Sequence, residues 1–390
     1  MQVSTMALKP LKLSDFDYDF PSELVAQKPA DVRDESRLLV RGADGTIGHR
    51  VFKDLPRCLP EKTLLILNDT SVLQSRLHGF LPTGARVEIF LLEQVSGLTW
   101  KAMAKPLRKL RTGSVLLFPG ENKQPSVSSG HPVRGIVKNI EVASEGEVPL
   151  IEIEFNGDAK LGPFDFFAWL EQAGETPLPP YIRRDYLHLR DPEDRSRYET
   201  VFAKVKGSVA APTAGLHFTK VVLEDLAKSG IKIAPVTLHV GGGTFLPVRQ
   251  EEVEKHPIHT EFFMVPAETV SAIISAKKSA MTICCVGTTS FRAIESLWKM
   301  SSERGVAPEE LAGQWHDTNL FIHPRSAEER FHPHVVDAIL TNFHQPKSTL
   351  FMLISALIGL ENAKSTYNSA IQKGYRLFSY GDSTLLFLHS

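Results

Sequence analysis

Apolar residues follow two rhythms along this chain. Outside residues 76–155, short continuous apolar runs alternate with stretches of helical spacing. The runs at 64–67, 231–240, 281–286 and 335–340 are the length of buried strands and carry little polar interruption, as strands covered on both faces do. The stretches at 219–230, 267–278, 291–299 and 350–360 place apolar residues three and four apart, which predicts helices. Thr219 stands where an N-cap belongs and Gly230 where a helix ends. Residues 36–40 and 49–52 flank Asp44-Gly45 and predict a hairpin, and 375–380 reads as the last strand. Between 76 and 155 helical spacing disappears. Short apolar runs separated by glycine and proline turns predict a small β-barrel there.

The buried runs end in loops whose composition suggests chemistry. The unit 219–240 is bracketed by Ala-Pro-Thr-Ala-Gly-Leu-His-Phe (211–218) and Thr-Leu-His-Val-Gly-Gly-Gly-Thr-Phe (237–245). Each loop joins glycines, which allow close approach of a ligand, to a Thr and a His. Simple turns are the alternative for either loop alone; two such loops favour a site. Asn68-Asp69-Thr70 follows the first buried run, where an Asx turn is the plain reading. His259 and Glu261 lie two apart, so on a strand they share a face and the carboxylate can orient the imidazole. Gly287-Thr288-Thr289-Ser290 precedes a helix expected from Phe291. Its free N–H groups suit a carboxylate or phosphate, and capping by Thr289 or Ser290 is compatible with that role.

Composition narrows the class. The 390 residues are 42% hydrophobic and 23% charged, with a formal net charge of -1, so nucleic-acid contact has to rest on local cations. These cluster at Lys101, Lys105, Arg108, Lys109 and Arg111, and at Arg183-Arg184. The three cysteines form no metal-binding spacing, and Cys284-Cys285 sits in an apolar run, so no metal is expected. No signal peptide and no membrane-length apolar run is present, which predicts a cytoplasmic protein with no membrane contact.

The two glycine loops are similar to the most distinctive motifs of the S-adenosylmethionine:tRNA ribosyltransferase-isomerase family of queuosine biosynthesis. The likeness runs from Ser14-Asp15-Phe16-Asp17 to Phe378-Ser379-Tyr380-Gly381-Asp382 and includes Gly287-Thr288-Thr289-Ser290-x-Arg292 and Thr341-Asn342-Phe343-His344-x-Pro346-Lys347-Ser348-Thr349. Ser71, Gln74, Gly242 and Leu246 depart from the family pattern, as do 325–330 and Ser383-Thr384. The resemblance implies an α/β fold, a large mixed-sheet domain (1–69 and 158–390) with an inserted small β-barrel domain (70–157). It implies transfer and isomerisation of the ribosyl group of S-adenosylmethionine onto the aminomethyl-deazaguanine at the wobble position in the anticodon loop of tRNA. Epoxyqueuosine-tRNA, adenine and methionine are the products. S-adenosylmethionine is then a co-substrate, with no tightly bound cofactor, and a monomer is expected. Such chemistry needs proton transfers, for which His217, His239, His259 and His344 are candidates. Thr213, Gly215, Gly241, Gly243, Thr244, Thr288, Thr289, Ser290 and Asn342 are candidates for holding the donor. Lys105, Arg108, Lys109, Arg111, Arg183 and Arg184 are candidates for RNA phosphates. A methyltransferase using the same donor is a rival, although 241–244 lacks the Gly-x-Gly-x-x-Gly spacing. A noncatalytic RNA-binding protein is another; it accounts for the barrel but not for the His-bearing loops.

Overall fold

The structure is a computed structural model that describes residues 11–118, 133–141, 148–158, 163–184, 192–245, 248, 250–256, 258–327 and 329–388. Leu246 and the side chain of Thr244 lie outside these residues. In chain order the α/β part begins with β1 (Arg37–Arg41), β2 (Ile47–Val51), α1 (Leu55–Cys58), β3 (Thr63–Asn68) and β4 (Thr70–Val72). Six strands follow: β5 (Arg76–Phe80), β6 (Arg86–Ser96), β7 (Thr99–Lys105), β8 (Val115–Phe118), β9 (Val133–Ile140) and β10 (Ile151–Gly157). The α/β part resumes with α2 (Phe166–Ala173), α3 (Pro192–Arg197), β11 (Val205–Ser208), α4 (Lys220–Lys228), β12 (Lys232–His239), β13 (Glu261–Met264), α5 (Ala267–Lys278), β14 (Thr282–Val286) and α6 (Gly287–Arg304). The chain ends with α7 (Pro308–Leu311), β15 (Trp315–Thr318), β16 (Ala338–Asn342), α8 (Thr349–Ile358), α9 (Leu360–Gln372) and β17 (Ser383–Phe387).

The fold is the expected α/β class. A nine-stranded mixed sheet has the order β15-β13-β12-β3-β14-β16-β17-β1-β2, and β5 to β10 close into a separate barrel. β12, β3, β14 and β16 are mutually parallel. Helices α5, α6 and α8 pack on the face that carries Ile66, Val236, Ile283 and Ile339. Helices α1 and α4 pack on the face that carries Leu65, Leu67, Cys284 and Leu340. Cover on both sides explains why these strands read as continuous apolar runs. The barrel core continues into α2 through Phe166 and Leu170.

Local expectations fare unevenly. The side chain of Thr219 caps α4 at the N–H of Val222, and α5 spans the expected residues. The segment 375–380 is not a strand; the last strand is β17, which starts eight residues after the expected one. Phe378 has φ +70°, and Asp382 holds the N–H groups of Arg37 and Arg376, so a tight turn takes the place of the strand. Helix α6 starts at Gly287, not Phe291. Gly287 has φ +85°, which lets the chain turn straight from β14 into the helix. No side chain caps α6; the Ser290 hydroxyl donates back to the Val286 carbonyl at 2.7 Å.

Candidate functional site

Because the four central strands run parallel, their C-terminal ends emerge along one edge of the sheet. The antiparallel neighbours β13, β17 and β1 begin at that same edge: Phe262 lies opposite His239, Ser383 opposite Asn342, and Leu38 opposite Ser383. The Asn-Asp-Thr turn, the triple-glycine loop, the start of α6 and the Asn342–His344 turn are therefore neighbours, although they are far apart in sequence. Open α/β sheets place ligands at this end of their strands. Asn68 fastens the cluster. It accepts from the Leu238 N–H at 3.0 Å, donates to the Leu238 carbonyl at 3.0 Å, and donates to the Thr289 hydroxyl at 3.1 Å.

The four histidines occupy different environments. His217 ends a 3-10 turn that begins at Thr213. The Asn342 side-chain amide donates one proton to the Phe378 carbonyl and the other to His217 Nε2, each at 3.1 Å. Nε2 is thus an acceptor, and Nδ1 carries the proton that goes to Ser36 Oγ at 2.8 Å. With Phe52 stacked on the ring, burial pushes this imidazole down to about 3. His344 is also sealed in, with Nε2 on the Thr341 hydroxyl at 2.9 Å and a pKa pushed by burial to about 3. His239 is half-buried, and its Nδ1 meets Thr70 Oγ1 at 2.8 Å. That hydroxyl donates to the Val205 carbonyl, so it accepts from Nδ1–H and leaves the Nε2 lone pair free. Burial lowers the His239 pKa to about 4. Gly207, φ +152°, lies directly against this ring: a Cβ there would stand 2.5 Å from Nε2. His259 is exposed, and its ring occupies the space a Cβ on Gly243 would take, 2.3 Å away.

The carboxylate of Glu261 does not orient His259. Glu261 is buried, accepts the Gly241 N–H at 3.1 Å, and forms an ion pair with Arg292 of α6. Arg292, the last residue of the Gly-Thr-Thr-Ser-x-Arg motif, also donates to the Leu320 carbonyl, while its buried Nη2 has no hydrogen-bond partner among the described residues. The motif glycines divide by what they face. Gly215 packs on Phe202 and Thr200, and Gly242 packs on Leu92 of the barrel. Gly241 is the least crowded of the triple glycine, with nothing closer than 3.8 Å to a built Cβ. Of the three hydroxyls expected at α6, Ser290 is turned inward to Val286 and Thr289 is held by Asn68; Thr288 is buried.

The cations form two groups. Lys105, Arg108, Lys109 and Arg111 are all exposed on the barrel. Lys105 follows Met103 by two residues on β7, and Met103 packs with Phe90, Leu92 and Val209, so this end of β7 borders the glycine loop. Arg183 is exposed in a cleft of about 1150 Å³ that also takes in Tyr181, Arg197, Gln345 and Phe378. Gln345 adjoins His344, so the cleft borders the histidine-bearing turn, although none of the four histidines lines it. Arg184 makes paired 2.7 Å contacts with Asp194 and donates to the Gln27 carbonyl. A half-buried arginine engaged in this way holds local structure.

Sequence reasoning missed Asn68, Thr70 and Arg292 as parts of the site. Their signal was present, since all three lie within motifs or directly after a buried run, but their partners are strands distant in sequence. The profile described as "Queuosine biosynthesis protein" matches residues 13–386. The chain belongs to this family. It is 43% identical over 380 residues to an S-adenosylmethionine:tRNA ribosyltransferase-isomerase of Anaeromyxobacter sp., covering 96% of this chain and 99% of that one. It is 41% identical over 377 residues to the protein of the same name from Citrifermentans bemidjiense, covering 96% and 99%. A solved S-adenosylmethionine tRNA ribosyltransferase from Thermotoga maritima shares 27% identity and a TM-score of 0.48, covering 96% of this chain and 100% of that one. Among the described residues no helix is long and apolar enough to cross a membrane.

Proposed function

We infer that the chain is an S-adenosylmethionine:tRNA ribosyltransferase-isomerase whose chemistry takes place at the C-terminal edge of β12, β3, β14 and β16. The observation that carries the placement is the convergence of the family's motif loops there around a histidine with a free ring nitrogen. The acceptor is the aminomethyl-deazaguanine of the anticodon loop, and the products are epoxyqueuosine-tRNA, adenine and methionine. The positive sulfur of the donor acidifies the adjacent ribose carbon, so the first requirement is a base. His239 Nε2 fits that role, because it is unprotonated at neutral pH and has no hydrogen-bond partner among the described residues. Exposed His259, beside Gly241 and Gly243, fits the proton donor that assists departure of adenine. His217 and His344 are positioning residues: both ring nitrogens of His217 and Nε2 of His344 are engaged inside the fold. The methionine carboxylate is met by the N–H groups at the start of α6, at Thr288 and Thr289, and Arg292 fixes that helix start through its ion pair with Glu261. Gly241 leaves room for the adenosyl group, and Thr213 and Asn342 line the same edge. Lys105, Arg108, Lys109, Arg111 and Arg183 take RNA phosphates, while Arg184 supports Arg183.

We further propose that the enzyme acts as a cytoplasmic monomer and that 70–157 forms a domain inserted between 1–69 and 158–390. The deciding experiment incubates the protein with S-adenosylmethionine and precursor-bearing tRNA. Release of adenine and methionine, with a ribosyl-derived mass gain on the tRNA, is the expected result. Formation of S-adenosylhomocysteine instead would establish the methyltransferase reading.

A further inference from the structure

The sheet is covered unevenly. Thr237 and His239 lie opposite Met264 and Phe262, which lie opposite Trp315 and Asp317. Cross-strand partners project to one side, so these six residues share a face. The other side, with Val236, Leu238 and Phe263, is sealed in the main core. On the shared face, the hydrophobic cluster under α1 and α4 reaches β3 but includes no residue of β13 or β15. Phe262 and Trp315 are therefore each 49% exposed. Trp315 nevertheless has a defined position: its ring stacks on His239 at 4.9 Å between centroids and 25° between planes. One face of the indole rests on the imidazole, and Phe262 is the cross-strand neighbour of that same histidine.

We propose that Trp315 and Phe262 form a stacking ledge for an unpaired base of the RNA substrate, next to the base that reacts. The inference rests on the reading of tRNA as the acceptor. An enzyme that modifies a base must take it out of its stack, and its neighbours then need new stacking partners, which aromatic side chains supply. Asp317, opposite Phe262 and exposed, offers a carboxylate to an exocyclic amine of the stacked base. Exposed Lys204, whose N–H donates to the carbonyl of Asp69, itself bonded to Thr237 of the same face, offers a cation to a phosphate. Two aromatic rings are far less than the roughly 800 Å² per partner of a stable dimer, so a second copy is a poor occupant. The ledge lies open on β13 and the edge strand β15, whereas the donor's adenine is placed at Gly241.

The test uses the full-length chain and precursor-bearing tRNA. Trp315→Ala, Trp315→Phe and Phe262→Ala are compared with wild type for tRNA affinity at several salt concentrations and for S-adenosylmethionine affinity, with thermal unfolding as the fold control. Stacking predicts that Trp315→Ala weakens tRNA binding about tenfold, and that Trp315→Phe restores most of it. The salt slope should stay unchanged, because no phosphate contact is lost. Wild-type tryptophan fluorescence should be quenched by tRNA, and less so in Trp315→Phe. Phe262→Ala should show a smaller loss of the same kind and keeps the inference testable if Trp315→Ala unfolds. Several outcomes would overturn the ledge. They are unchanged tRNA affinity in both alanine variants, weakened donor binding in place of RNA binding, a flattened salt slope, or a wild-type dimer that Trp315→Ala dissociates. A fall in turnover at saturating tRNA with unchanged affinity would also overturn it, by showing that Trp315 serves only to hold His239. Adenine release by wild type reports on the reaction itself, so failure of the ledge and failure of the enzymatic reading give different results.

Discussion

At the scale of single residues, the structure separates four histidines that sequence treats alike. Spacing and neighbours gave no ranking, because each stands in a glycine- or threonine-bearing loop. What distinguishes them is which ring nitrogen is already engaged, and the partners are Ser36, Thr70 and Asn342, distant in sequence. His239→Ala is expected to lower turnover by about 10²–10⁴-fold and leave donor affinity within a few fold, as measured by adenine release and by calorimetry. His217→Ala should instead show its largest effect on stability, since it removes a stacked, doubly hydrogen-bonded ring. Gly207 offers a sharper test of the same idea. Its Cβ would press on His239 Nε2, so Gly207→Ala should lower turnover strongly while donor affinity holds. Normal turnover in that variant would show that the ring can move freely, and would remove the case for a positioned base. The pairing of His259 with Glu261 illustrates how such reading fails. Two residues apart places side chains on one face only within a strand, and β13 begins at Glu261, so His259 lies outside it while Arg292 and the Gly241 N–H hold the carboxylate.

At the scale of elements, most of the fold was legible. Buried strands announce themselves by continuous apolar runs, α4 by its cap, and the barrel by the loss of helical spacing. The error at 375–380 arose because aromatic and apolar residues fit a packed turn as well as a strand. The junction between barrel and sheet was not legible at all, because nothing local marks Leu92 as the residue that fills the space above Gly242. A Cβ on Gly242 would stand 2.1 Å from Leu92. Gly242→Ala should therefore destabilise the protein by about 1–3 kcal/mol through overpacking. Leu92→Ala combined with it should cost less than the sum of the two single changes. Denaturant midpoints for the four proteins measure that coupling, and strict additivity would mean that the contact does not hold the two parts together.

At the scale of the whole molecule, burial of neutral histidines sets the response to acid. His217 and His344 have folded pKa values near 3, below the unfolded value near 6.5. The unfolded chain then binds more protons than the folded one below about pH 6.5, so stability falls as pH drops through that range. By pH 5 the loss is about 2 kcal/mol for each buried ring. His334 works in the opposite sense. Its hydrogen bond to buried Glu295 raises its pKa, so its contribution is present below about pH 6.5 and fades as pH rises through its folded value. Urea midpoints between pH 5 and 8 should rise from the acid side, and His344→Gln should flatten that rise. RNA binding must likewise be read globally: with a net charge of -1, the salt slope should be modest, about -2 to -4. Arg183→Ala should flatten it by roughly one contact, about 0.7, without the structural damage expected from Arg184. The position of β3 has a consequence during synthesis. It is the first of the four central parallel strands to leave the ribosome, yet its partners are β12 and β14, which the chain reaches only after the whole barrel has been made. At bacterial and eukaryotic elongation rates of about 5–20 residues per second, a strand that the finished fold buries along its whole length waits on the order of 10–40 s for both neighbours. The nascent chain is thus a natural client for chaperones that shield exposed apolar segments, and the self-closing barrel is the part able to fold while that strand still waits.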